Sequence, residues 1–129
     1  MKVNWGRVLN AGLIAEILGI LVYQVVAALY GHGNDGNAAI ITGAVGVFVF
    51  MMLGALWVGR KIESRFILHG FLVGVVAIVY HDVTRSLPDI LSGQYEWNYW
   101  LAALYGHTPK ILGGMLGGYL AGRRRAKAA

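Results

Sequence analysis

The 129-residue sequence contains no cysteine. Disulfides, thiolate nucleophiles and cysteine-ligated zinc or iron–sulfur centres are thereby excluded. Charge is also scarce. Asp, Glu, Lys and Arg make up 13% of the residues, against roughly 25% in soluble domains. Hydrophobic residues make up 57% and mean hydropathy is +0.60. A membrane protein is therefore the expectation. Proline occurs only at Pro88 and Pro109, whereas glycine occurs 19 times. The glycines sit inside apolar runs, where membrane helices use them to approach closely, and not in a polar, disordered context. No nucleophile elbow, P-loop, dinucleotide-binding Gly fingerprint or kinase motif is present, so no catalytic residue, cofactor or enzymatic activity is expected.

What is present is long apolar runs. A membrane-spanning helix needs about 20 mostly apolar residues, and four segments qualify: roughly 8–30, 38–59, 66–87 and 99–122. They form one domain, residues 1–129, of an all-α integral membrane class with four transmembrane helices. The connections are a polar Gly-rich turn, "GHGNDGN" at Gly31–Asn37, a charged turn, "RKIESR" at Arg60–Arg65, and a longer loop from Pro88 to Asn98. Pro88 is expected to stop the third helix. The first span is too long for a signal peptide and carries Glu16 and Gln24, so it is read as a mature helix.

The net charge of +5 is placed asymmetrically. Lys2, Arg7, Arg60, Lys61, Arg65, Arg123, Arg124, Arg125 and Lys127 fall on one side of the four spans, and only Arg85 and Lys110 fall towards the other. The positive-inside rule then puts both termini in the cytoplasm. The basic C-terminus reads as an anchor at anionic headgroups, not a nucleic-acid surface. "QYEWNYW" at Gln94–Trp100 lies before the fourth span and reads as an interfacial aromatic belt.

The chain also echoes itself. "MLGALWVGRK" at Met52–Lys61 and "MLGGYLAGRR" at Met115–Arg124 share Met, Leu, Gly, Gly and Arg in register, ending spans two and four. An offset of 58 aligns Arg7 with Arg65, Gly12 with Gly70, Ile20 with Ile78 and Val25 with Val83. The expectation is two parallel-repeated helical hairpins related by an axis along the membrane normal, since both copies run the same way. Residues four, seven and eleven apart share one helix face. Gly12, Glu16, Gly19 and Tyr23 share one in span one, and Gly70, Gly74, Ala77 and His81 share one in span three. The repeat predicts that these stripes face each other, with Gly117 and its neighbours supplying another close-packing surface.

Polar residues within the spans need partners. Glu16 lies about 12 Å inside span one at 1.5 Å per residue. A carboxylate so near the bilayer centre must be protonated, paired or wetted. Lys110 sits about 20 Å from Arg123 along span four, a depth at which Glu16 or Asp82 is a feasible partner. Pro109 precedes it and frees a carbonyl. In "YHDVTR" at Tyr80–Arg85, Asp82 and Arg85 are three apart and can pair on the helix surface. The candidate intramembrane polar site is thus Glu16, Lys110, Tyr23, His81, Asp82 and Arg85. His32, His69, His81 and His107 carry no metal-ligand spacing, and no metal is expected. His81 and His107 could serve as axial haem ligands only if their rings faced each other.

"NWGRVLNAGLIAEI" at Asn4–Ile17, and "LHGFLVG" at Leu68–Gly74 after the Gly–Arg end of span two, resemble small bacterial inner-membrane proteins of no assigned activity. That resemblance implies a bacterial inner-membrane location and a four-helix fold. "LIAEILG" at Leu13–Gly19 is similar to the first helix of small multidrug resistance transporters, whose membrane-embedded Glu binds protons and cationic substrates. Glu16 is the one position that carries over. Lys110 and the cluster at His81–Arg85 depart from that family's pattern. Two functions follow as expectations: a non-enzymatic accessory, scaffold or self-associating subunit, present as a homo-oligomer or in a larger membrane complex, or a small proton-coupled transporter centred on Glu16.

Overall fold

The computed structural model describes residues 3–30, 36–93 and 98–128. Among them the chain is all-helical. Helix α1 runs Trp5–Tyr30, α2 Gly36–Gly59 and α3 Phe66–His81. A single π turn, Asp82–Ser86, joins α3 to the short α4, Leu87–Leu91, and α5 spans Asn98–Ala128. Among the described residues three stretches are long and apolar enough to cross a membrane: Trp5–Leu29, Ile41–Gly59 and Phe66–Leu91. The last is longer than expected because Pro88 does not end it. Pro88 falls in the first turn of α4, where a missing N–H is tolerated, and the preceding π turn shifts the hydrogen-bond register. Helix α5 is 31 residues long but is interrupted by His107, Pro109, Lys110 and four closely spaced glycines. The basic tail Arg123–Arg125 continues it as helix.

The helices pack as a four-membered bundle in which α1 borders α2 and α3, and α5 borders the same two. Helices α2 and α3 also touch across one diagonal, whereas α1 and α5 do not pack together among the described residues. A twofold axis along the normal would set spans one and three opposite each other. They are instead neighbours, so the expected axis between parallel hairpins is not there, and the repeat is a likeness of sequence only.

Nor do the two small-residue stripes face each other. Gly12 does meet α3, where a Cβ would come within 2.8 Å of the Val73 carbonyl oxygen and Val76. Gly19 turns to Val47 on α2. Gly70 and Gly74 turn away from α1 and back onto α5, against the carbonyls of Gly114 and Lys110. The reason lies in α5 itself. Gly113 and Gly117 rest on the Phe48 and Met52 carbonyls of α2, and Gly114 and Gly118 rest on the Gly70 and Phe66 carbonyls of α3. Two adjacent glycine rows one turn apart let α5 wedge between both helices with backbone in contact on each side. The geometry allows Cα–H···O contacts that side chains would prevent.

The apolar core lies towards the basic end: Val8, Ala11, Ala15, Met51, Val58, Ile62, Val73 and Ala77. Around it, Ile14, Leu21, Ile41, Val45, Leu53, Val79 and Leu112 are exposed apolar residues spread over α1, α2, α3 and α5. Side-chain ties close the basic end. The Asn4 N–H donates to His69 Nε2 at 3.4 Å, so His69 carries its proton on Nδ1 and donates it to the Arg65 carbonyl at 3.0 Å. Arg65 itself is left-handed, φ 55°. Arg125 donates to the Ile62 carbonyl, and Arg7 lies 4.9 Å over the Trp57 ring.

Candidate functional site

Glu16 is fully buried on α1, with 1% of its surface exposed, and Lys110 on α5 is buried to 2%. Lys110 Nζ donates to Glu16 Oε1 at 2.8 Å. Of the two acids within reach of Lys110, the fold selects Glu16, and the bond bridges the diagonal whose helix backbones do not meet. The long lysine side chain is what spans that gap. His81 Nδ1 donates to the same Glu16 Oε1 at 2.9 Å. One carboxylate oxygen therefore ties three helices, α1, α3 and α5. Its other oxygen, Oε2, is buried without a hydrogen-bond partner among the described residues.

A second pair lies beside the first. His107 Nε2 donates to Asp82 Oδ1 at 3.1 Å. The two imidazoles meet edge to face, centroids 5.7 Å apart and planes at 84°. His107 Nδ1 is buried and unpartnered among the described residues. The side chains thus run Lys110, Glu16, His81, His107, Asp82, from the buried middle of the bundle to the half-exposed end of α3. Each ring already spends a nitrogen on a carboxylate, and the edge-on contact does not present the pair to a shared haem plane. Among the described residues no three of His, Asp and Glu converge as a metal group.

The π turn begins where the site needs it, at Asp82. The Thr84 hydroxyl donates back to the Tyr80 carbonyl at 2.7 Å, as threonine commonly does within a helix. With the turn in place, Asp82 reaches His107 on α5. It does not pair with Arg85, three residues along: that spacing makes neighbours only in an unbroken α-helix. Arg85 is exposed and makes no ion pair among the described residues. Tyr23 also stays out of the site; its ring packs over Gly43 on α2. His32 and most of the aromatic run at 94–100 lie outside the described residues. The sequence offers His107 only as a possible axial ligand opposite His81. Its position three residues before Lys110 on α5 was the available signal.

The two donors on Glu16 differ in consequence. His81→Phe removes one donor from an oxygen that keeps Lys110, and the imidazole is partly exposed. The expected loss is about 1 kcal/mol, the net value of one hydrogen bond, read as a small drop in melting temperature in detergent. A drop as large as that from losing Lys110 would make the histidine, and not the lysine, the main tie.

No family model, no curated protein and no solved structure matches this chain.

Proposed function

We propose that the chain is a non-enzymatic four-span protein of the bacterial inner membrane, with both termini cytoplasmic, that serves as an accessory, scaffold or self-associating subunit. The observation that carries this reading is the use of Glu16. Its charge is spent inside the bundle, on a lysine and a histidine from two other helices. Towards the basic end the bundle is filled by Val8, Met51, Val58 and Val73, all fully buried. That packing supports a clasp holding helices together more than a through-going polar route. Helix α5 is the fourth span in this reading. It is long enough, its polar groups Lys110 and His107 face partners within the bundle, and buried pairing removes most of the cost of crossing lipid.

A second reading is favoured by one specific feature. Glu16 Oε2 has no hydrogen-bond partner among the described residues, and partly exposed His81 links Glu16 towards the end of α3. A proton could reach Glu16 by that side, as proton-coupled transport requires. Proteoliposome proton flux separates the two. The scaffold reading expects no flux for wild type, Glu16→Gln or Lys110→Met. Flux in wild type that disappears in a folded Glu16→Gln protein establishes the transporter instead.

Topology has its own test. Nine basic residues on one side against two on the other favour cytoplasmic termini. A reporter fused at Ala129 is expected to report from the cytoplasm and one inserted at 31–37 from the opposite side. A C-terminus on the opposite side from the cytoplasm overturns the orientation.

A further inference from the structure

Helix α1 carries one face that the bundle does not use. Asn10, Ile14, Ile17, Leu21, Gln24 and Ala28 follow one another at alternating steps of four and three residues, and all six are exposed. Ile14 is 57% exposed, Ile17 44% and Leu21 54%. At 3.6 residues per turn, Val8, Ala15 and Gly19 fall on the opposite side of the helix, and these are buried. Alternating steps of four and three are the spacing of a heptad seam, along which two helices pack side by side.

The polar members of this seam specify what covers it. Trp5–Leu29, Ile41–Gly59 and Phe66–Leu91 contain two carboxamides between them, Asn10 and Gln24, and both lie on the seam. Ile17 is the midpoint of Trp5–Leu29, and each amide stands seven residues from it, about 10 Å at 1.5 Å per residue. A hydrocarbon core about 30 Å thick extends about 15 Å to either side of its middle, so both amides lie within it. Among the described residues neither side chain is hydrogen-bonded. Exposed threonines meet the same need on their own helix: Thr84 and Thr108 return their hydroxyls to the Tyr80 and Leu104 carbonyls. A carboxamide has two N–H donors as well as an acceptor, and in lipid it finds them on a neighbouring helix.

We propose that this face of α1 is a dimer interface with a second copy of the chain, related by a twofold axis along the membrane normal. Copies inserted the same way hold α1 parallel to its counterpart, so each seam residue meets its own equivalent at its own depth. A carboxamide both donates and accepts, and a like pair therefore satisfies both members. Asn10 bonds its counterpart near one boundary and Gln24 near the other, fixing the register of the apolar side chains between them. An unrelated partner would have to offer polar groups at two levels about 21 Å apart on one face, whereas a second copy does so by symmetry. The inference rests on the membrane and self-association reading above and adds the face and the bonds that hold it.

The chain has no cysteine, so single-cysteine variants report proximity directly. Under mild oxidation in membranes, Ile17→Cys is expected to give a disulfide-linked dimer. Val79→Cys and Leu112→Cys, at exposed positions of α3 and α5, are expected to give none. Energy transfer between donor- and acceptor-labelled full chain in phosphatidylcholine vesicles then measures the dissociation constant. Asn10→Leu and Gln24→Leu are each expected to raise it about tenfold, the usual strength of an amide bond between membrane helices. Neither variant should lower the melting temperature of the monomer in detergent, because neither side chain is bonded within the bundle. Energy transfer with cross-linking at Val79 or Leu112 in place of Ile17 overturns this face and leaves self-association standing. An unchanged dissociation constant in both Leu variants overturns the amide pairing. Absence of energy transfer at every concentration removes self-association itself, and release of the chain from membranes by carbonate washing removes the membrane reading.

Discussion

Glu16→Gln is expected to lower the melting temperature in detergent by on the order of 10 °C. The change is nearly isosteric and keeps an acceptor for Lys110 and His81, so packing is not the cause. The cause is charge. Lys110 is 2% exposed and donates to Glu16. With the carboxylate gone, an ammonium group is left buried without the carboxylate it bonds. Breaking such a pair from one side costs about 3–5 kcal/mol, and for a chain of this size each kcal/mol shifts the midpoint by a few degrees. Lys110→Met alone should also destabilise, because it leaves Glu16 with His81 as its single donor. The double variant, Glu16→Gln with Lys110→Met, should recover most of the loss, since both charges leave together and His81 can still donate to the Gln carbonyl. Melting curves for wild type, both single variants and the double form a complete cycle. A Glu16→Gln protein that melts with wild type, or a double variant no better than the worse single, means that the pair does not hold the bundle.

The second large effect is expected where α5 meets α3. Gly114→Leu and Gly74→Leu should each cost about 3 kcal/mol or more, because a side chain at either place meets backbone and not a movable group. At Gly114 the obstacle is the Gly70 carbonyl, and at Gly74 it is the Lys110 carbonyl, 2.7 Å from where a Cβ would stand. Leu72→Ala, on the same helix but partly exposed, is the control and should change the midpoint far less. The Gly74 variant also pushes on the residue that binds Glu16, so its effect should shrink when the Glu16–Lys110 pair is already absent. Equal stability of Gly114→Leu and Leu72→Ala would mean that α5 does not wedge against α3.

Much of the architecture was written locally. The absence of cysteine, the low charge and the length of the apolar runs are enough to specify long helices fit for lipid, because each helix satisfies its own backbone and needs no distant partner to do so. The polar residues were legible for the same reason. A charged group inside an apolar helix has to be satisfied by something, which makes Glu16 and Lys110 legible from sequence without their contact.

Partner choice was not local. Helices α1 and α2 expose Ile14, Leu21, Ile41 and Val45 while burying Ala15 and Met51, so apolar residues occupy every face. Hydropathy then has no direction, unlike the one-sided stripe of a helix in water. The choice of Gly70 and Gly74 for α5 over α1 depended on the double glycine row at Gly113–Gly114 and Gly117–Gly118, whose carbonyl contacts exist only when three helices are in place. By spacing and depth Asp82 can pair with Arg85 along its own helix or with Lys110, but across a π turn, invisible to a 3.6-residue period, it bonds His107 instead. The same turn let Pro88 lie within the helix and not end it. The sequence by itself therefore determined that this chain builds long apolar helices and which side chains could not be left alone in them. Only the tertiary structure decided the order of the helices and the partner each buried polar group found, because close approach of glycine backbones and the reach of one lysine across the bundle are properties of several helices together.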